Sequence, residues 1–168
     1  MTNAPDTPPR RIGLAFGIVA FFALIAAMGV ALVRGAEDVS PLVGTPAPEI
    51  RAELLAGDVP EGAHVVNFWA TWCTPCLAEH PILMRMADEG TPIVGIAYRD
   101  DALKIARYLS EAGNPFSALY LDNSGNVVPD WGLRGVPETF VVEDGVITFH
   151  ASGALETPLR VSRGTATD

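Results

Sequence analysis

Residues 65–76 read VVNFWATWCTPC, and this stretch decides the fold of the chain. A near-continuous apolar run is typical of a buried parallel strand, and the cysteines that follow it are predicted to open a helix. At a helix N-terminus, unpaired N–H groups and the helix dipole stabilise a thiolate. We therefore predict that Cys73 is the attacking thiol and that Cys76, one turn further on, is the resolving thiol. Thr74 and Pro75 between them set the thiolate environment and favour the first helical turn.

Other uses of two cysteines at this spacing fit less well. A structural zinc site needs about four ligands, but the chain has no second cysteine pair, and His64 and His150 show no ligand spacing. Covalent haem attachment requires a histidine directly after the second cysteine, where Leu77 stands. A structural disulfide across so short a loop would constrain the unfolded chain little. The pattern therefore favours thiol–disulfide exchange, with no metal and no organic cofactor expected.

The N-terminal region predicts a membrane anchor. Residues 12–33 contain no charged side chain, and a helix of that length spans roughly 30 Å, enough to cross a bilayer. The run exceeds the apolar region of a cleaved signal peptide, about 7–15 residues. Because Arg10 and Arg11 precede the run, the positive-inside rule places residues 1–11 in the cytoplasm. We predict a single-pass protein of the bacterial inner membrane whose catalytic domain faces the periplasm.

The rest of the chain is predicted to hold a linker over residues 34–48 and one α/β domain over residues 49–168. A formal net charge of −9 argues against nonspecific nucleic-acid binding. The predicted order is β-α-β-α-β followed by an antiparallel hairpin, which gives a three-layer sandwich on a mixed sheet. Strands are expected near 49–55, 65–71, 92–98, 117–121, 139–142 and 146–150, helices over 74–89 and up to 112, and a short helix or loop over 127–133.

Several motifs resemble known families. Residues 72–76, with Pro81 five residues on, resemble the active-site helix of the thioredoxin superfamily, and residues 135–139, GVPET, resemble its loop whose cis-proline faces the disulfide. Residues 95–101 and 113–116 resemble the membrane-anchored thiol:disulfide interchange proteins of cytochrome c maturation, the DsbE/CcmG family. The resemblance implies a thioredoxin-like three-layer sandwich with a mixed central sheet.

The resemblance also implies a function and its partners. The chain would reduce apocytochrome c disulfides, or a mixed disulfide with a cytochrome-maturation thiol protein, and a membrane thiol-relay protein would supply the electrons. The Cys73–Cys76 disulfide would be the redox centre, without an organic cofactor. A broader periplasmic thioredoxin-like reductase stays open as an alternative. A copper chaperone that uses both cysteines and His80 is less favoured, because copper proteins of this fold usually have wider cysteine spacing.

Supporting roles follow from the same resemblance. The bond before Pro137 is expected to be cis. Thioredoxins have a buried Asp where this chain has Asn67, so glutamates would have to serve instead. Glu79 is either a solvated carboxylate that complements the helix dipole or a proton acceptor for the resolving thiol. Glu138 is either an exposed loop carboxylate or a group that tunes the thiols or recognises a partner.

Three further expectations concern packing. Trp72 either packs beside the disulfide or belongs to the ordinary core. His80 is expected on the surface of its helix rather than as a copper ligand. The tail beyond Gly153 contains Pro158 and Gly164, so no full C-terminal helix is expected, and the last sheet face is expected to be less well covered.

Overall fold

The computed structural model describes residues 19–25 and 40–161. Residues 19–25 are helical and belong to a compact unit separate from the one that holds residues 40–161. The rest of the predicted anchor over residues 12–33 lies outside the described residues, as do residues 34–39 of the predicted linker. Within the described ranges, no helix is long and apolar enough to cross a membrane.

Within residues 40–161, one mixed sheet carries the fold. Its strands stand in the order β1-β4-β3-β2-β5-β6. β2 pairs with β3 and β3 with β4 in parallel, and the other neighbours are antiparallel. The strands are β1 (Glu53–Gly57), β2 (His64–Trp69), β3 (Ile93–Tyr98), β4 (Ala118–Asp122), β5 (Glu138–Glu143) and β6 (Val146–Ser152), and the helices are α1 (Thr74–Asp88), α2 (Ala102–Ala112) and α3 (Val127–Asp130). The thioredoxin-like α/β prediction is confirmed, and β1 and β6 are the edge strands.

The central strands are apolar because both faces of the sheet are covered. Alternate residues of β2 enter two separate cores, Trp69 on the side of α1 and α2, and Phe68 on the side of α3. Phe68 lies 5.4 Å from Trp131 and 5.8 Å from Phe140 between ring centroids. Each such fully buried side chain contributes about 1.5–3 kcal/mol to folding. The near-continuous apolar run therefore anchors the end of β2, where the cysteines follow, between two packed cores.

The tail after β6 replaces a C-terminal helix. No helix occurs between β6 and Val161, as expected for the described part of the tail. The expectation of a poorly covered sheet face is wrong, however, because Leu155 is buried in the core on the α1 side. Leu159 and Val161 pack against the same cluster. An extended tail thus covers apolar surface without the regular pattern that would reveal it in the sequence.

Candidate redox site

A disulfide joins Cys73 and Cys76 at the start of α1. Cys73 is the N-cap residue, and the backbone N–H of Cys76 donates to Cys73 Sγ at 3.2 Å. The sulfur thus occupies the place of the side-chain oxygen that usually caps a helix. Pro75 lies in the first turn, where its missing N–H costs no helical hydrogen bond. The two cysteines are similarly buried, 5% and 3% exposed, while Thr74 and Pro75 between them are exposed.

The loop before β5 faces the first cysteine. The bond between Val136 and Pro137 is cis, as predicted. The Val136 carbonyl oxygen lies 3.5 Å from Cys73 Sγ. The structure therefore brings together two segments that are more than 60 residues apart in the chain, as the resemblance implied.

A neighbouring loop holds the turn that leads into α1. Thr71 donates from both its backbone N–H and its hydroxyl to the Asp100 carboxylate, the hydroxyl at 2.8 Å. The Trp72 indole N–H donates to the Arg99 carbonyl at 3.0 Å, and the side chain is 57% exposed. The expectation that Trp72 belongs to the core is therefore wrong. The sequence analysis does not place Asp100 at the site, although β3 is the parallel neighbour of β2, so that their carboxyl ends meet.

Glu79 is a buried carboxyl on α1, one turn beyond Cys76 on the same helical face. It is 1% exposed, so the expectation of a solvated carboxylate is wrong. Oε1 accepts a hydrogen bond from Asn67 Nδ2 at 3.0 Å, and Oε2 accepts one from the Leu155 backbone N–H at 2.8 Å. Burial raises the pKa of Glu79, and the two hydrogen bonds oppose that rise. This arrangement suits a group that takes up and releases a proton.

Glu138 is also 1% exposed, which contradicts the expectation of an exposed loop carboxylate. Its Oε1 accepts from the backbone N–H groups of Arg134, at 2.7 Å, and Gly135, at 3.1 Å. Its Oε2 lies 2.8 Å from His150 Nε2. In the register of β2 and β5, Asn67 faces Thr139, and the next pair along is Phe68 with Glu138.

Side chains alternate between the two faces along a strand, so Asn67 and Thr139 point to one face and Phe68 and Glu138 to the other. Because Glu79 is hydrogen-bonded to Asn67, the carboxyls of Glu79 and Glu138 lie on opposite faces of the sheet. Asn67 donates to both Glu79 and Thr139, so these three side chains share the α1 side. Asn67 is thus a structural partner of Glu79. Glu138 lies on the other face.

His80 does not lie on the helix surface, so that expectation is wrong. Its side chain is buried, Nε2 lies 3.1 Å from the Gly113 carbonyl oxygen, and the ring meets Tyr108 edge-on at 5.0 Å. Burial lowers the pKa of His80, against the opposing effect of the backbone carbonyls. Within the described residues, no three His, Cys, Asp or Glu side chains are grouped as a metal site would require. His80 is therefore a packing residue that links α1 to the end of α2.

Comparisons with known proteins agree with this geometry. The Redoxin family model matches residues 42–166. The thiol:disulfide interchange protein DsbE of Escherichia coli K12 is 35% identical over 162 residues, which cover 87% of this chain and 88% of that protein. The DsbE homolog of Paracoccus denitrificans is 38% identical over 149 residues, covering 82% and 83%.

Solved structures show the same fold. A putative DsbE from Chlorobium tepidum aligns with a TM-score of 0.60 at 21% identity, over 68% of this chain and 87% of that one. The thioredoxin domain of an oxidoreductase from Bacteroides vulgatus aligns with a TM-score of 0.58 at 21% identity, over 68% and 91%. With the matched family model, the curated relatives and the Cys73–Cys76 pair at the helix start, the chain belongs to the Redoxin family as a DsbE-type thiol:disulfide interchange protein, a disulfide oxidoreductase.

Proposed function

We propose that this protein is a membrane-anchored, periplasm-facing reductant that opens the disulfide of an apocytochrome c haem-attachment motif, or a mixed disulfide with a partner protein. The periplasm is oxidising, so the two thiols of such a motif close into a disulfide that blocks haem attachment. Residues 12–33 would hold the domain at the inner membrane, where a membrane thiol-relay protein would return electrons to it. The Cys73–Cys76 pair would be the only redox centre, without an organic cofactor.

One observation carries the proposal: the redox pair lies between a loop that a polypeptide client can contact and a buried acid. Val136 O is 3.5 Å from Cys73 Sγ on one side. Glu79, on the same helical face as Cys76, is the buried carboxyl on the other. The similarity to DsbE-type proteins supports a protein disulfide as the substrate.

The exchange would proceed in two displacements. The Cys73 thiolate attacks one sulfur of the client disulfide, forming a mixed disulfide, and the second client sulfur leaves as a thiolate that takes a proton from water. Cys76 then gives its proton to Glu79 and attacks Cys73 Sγ. The bond to the client breaks, and the first client sulfur leaves and is protonated in turn. Two electrons pass from the pair to the client, which ends with two thiols.

The remaining side chains would support these steps. Trp72, Thr74 and Pro75 are exposed next to Cys73, and they would form the rim that a client meets first. Pro137 would keep the backbone of the facing loop in reach of the client. Glu138 would hold that loop through the amides of Arg134 and Gly135.

A substrate comparison tests the proposal. We expect the reduced protein to reduce an oxidised Cys-x-x-Cys-His peptide much faster than insulin, and deletion of the gene to abolish holocytochrome c while other periplasmic thiol proteins stay intact. Cys73→Ser is the matched inactive control. Fast insulin reduction together with normal cytochrome levels in the deletion strain would instead identify a broad periplasmic reductase.

A further inference from the structure

His150 is held in one orientation next to the cis-proline loop. It lies opposite Phe140 in the register of β5 and β6, and its ring stacks on the Phe140 ring with centroids 4.1 Å apart and planes 6° from parallel. Its side chain is only 14% exposed. In this position Nε2 points at Glu138 Oε2, 2.8 Å away. The stacking therefore aims the imidazole at a buried carboxylate.

One of the two carboxylate oxygens of Glu138 has its hydrogen-bond partner only in His150 among the contacts described. Its other oxygen accepts from two backbone amides, those of Arg134 and Gly135. With Glu138 ionised, Oε2 can only accept, and the pair with His150 then requires the hydrogen on Nε2. Without that donor, one oxygen of a buried carboxylate would lose its partner, which is costly for a group that is 1% exposed.

These contacts form a continuous path to the attacking sulfur. The amides that Glu138 holds immediately precede Val136, whose carbonyl oxygen is 3.5 Å from Cys73 Sγ. Residues 133–136 also line a small cleft of about 100 Å³ with Tyr98 and Val128. Because this loop lies beside Cys73 Sγ, a polypeptide client can pair its backbone with the loop, whereas a small disulfide has no backbone to pair.

We propose that His150 is a positioning residue for thiol–disulfide exchange with polypeptides, acting through Glu138 on the loop over residues 134–136. The proposal rests on the exchange activity itself and not on which polypeptide is the natural client. It gives a role in the reaction to a histidine that lies 74 positions beyond Cys76 in the sequence.

Two substitutions at position 150 distinguish a positioning role of His150 from a general contribution to the stability of the fold. His150→Phe keeps the stacked ring but removes the donor, while His150→Gln keeps a donor. The reduced full-length proteins are assayed with an oxidised Cys-x-x-Cys-His peptide and with hydroxyethyl disulfide, which has no peptide backbone to pair with the loop. For His150→Phe we expect the peptide rate to fall about tenfold, the effect of one lost hydrogen bond to a charged group, and the small-disulfide rate to change less than about twofold.

For His150→Gln we expect both rates to stay within about threefold of the parent protein, because a neutral donor replaces the imidazole. His64→Gln is the matched control, since His64 contacts only the Gly62 carbonyl among the hydrogen bonds described, and both of its rates should be unchanged. An unchanged peptide rate in His150→Phe would overturn the proposal. So would an equal fall of both rates, which would indicate a general loss of structure. Each rate is compared between variant and parent protein on the same substrate. The test therefore remains valid even if the parent protein shows no preference for haem-attachment peptides over other protein disulfides.

Discussion

Glu79 and Glu138 are both buried, and they differ in their hydrogen-bond donors. Glu138 accepts from two loop amides and pairs with an imidazole, whereas Glu79 accepts from one side-chain amide and one backbone N–H. Burial raises the pKa of Glu79. Glu79 is accordingly the group suited to exchange a proton with Cys76, and Glu138 is suited to hold the loop.

Glu79→Gln should change how stability depends on pH. The pKa of Glu79 is raised above 4.5 in the folded protein, so its contribution to stability is fully present below that pH and is lost as the pH rises through the folded pKa. The free energy of unfolding of the oxidised variant, relative to the parent, should therefore increase between about pH 4 and about pH 8. Urea unfolding at both pH values measures this. A difference that is constant with pH would show that Glu79 does not titrate as described.

The two cysteines should give opposite results when replaced singly. Cys73→Ser should abolish exchange, because we expect the sulfur at the helix cap to be the attacking group, while Cys76→Ser should accumulate a mixed disulfide with a client. Non-reducing electrophoresis with a thiol-trapped sample detects the adduct. Alkylation of the reduced parent protein provides the check, since faster labelling of Cys76 than of Cys73 at neutral pH would reverse the assignment.

At the scale of elements, the site depends on two parallel strands that end side by side. The turn after β2 carries the cysteines, and the turn after β3 carries Arg99 and Asp100, which bind Trp72 and Thr71. Arg99 adopts a positive φ of 46°, which is uncommon for a residue with a side chain. The backbone conformation of the loop after β3 thus lets Arg99 and Asp100 hydrogen-bond to the loop after β2.

Asp100→Ala should loosen that connection. It removes the acceptor for the backbone N–H and the hydroxyl of Thr71, at a cost of about 1–3 kcal/mol in the free energy of unfolding, and it should also slow exchange. Asp101→Ala is the matched control, because Asp101 caps α2 through Leu103 and Lys104 and its loss costs about 1 kcal/mol. Denaturant unfolding and peptide reduction rates measure both effects. Equal exchange rates in the two variants would argue against a role for the Thr71 contact.

Gly95→Ala should strain the core beneath the site. A Cβ at Gly95 would lie 2.6 Å from the Phe116 ring, which stacks on Trp69 at 5.2 Å. Overpacking of this kind costs about 1–3 kcal/mol. Denaturant unfolding measures the loss, and Gly135→Ala, whose Cβ would meet nothing within 4 Å, should change stability much less. Equal stability of the two variants would mean that the Phe116 ring moves aside at no cost in free energy.

At the scale of the whole molecule, the sequence predicts the order of elements well and the surroundings of single side chains poorly. The apolar runs of β2 and β3 and the Cys-x-x-Cys turn identify the sheet and helix order, because they reflect local periodicity. The burial of Glu79 and His80 depends on the tail and on the end of α2, which local patterns do not locate. The exposure of Trp72 likewise depends on a loop from another strand.

The predicted membrane topology can be tested on the intact protein in cells. Because residues 12–33 carry no charge and follow two arginines, protease added to spheroplasts should digest the catalytic domain. A cytoplasmic marker protein serves as the control for membrane integrity. A domain that is protected in spheroplasts but cut in inverted vesicles would contradict this orientation.

The hydrogen bond from the Leu155 amide to Glu79 also bears on the order in which the site matures during synthesis. The two residues are 76 positions apart, so the cysteine-bearing helix leaves the ribosome well before the segment that completes its acid. In that interval Glu79 still lacks one of its two hydrogen-bond donors. The buried setting of this carboxyl is therefore complete only after the last strand and its tail have been translated.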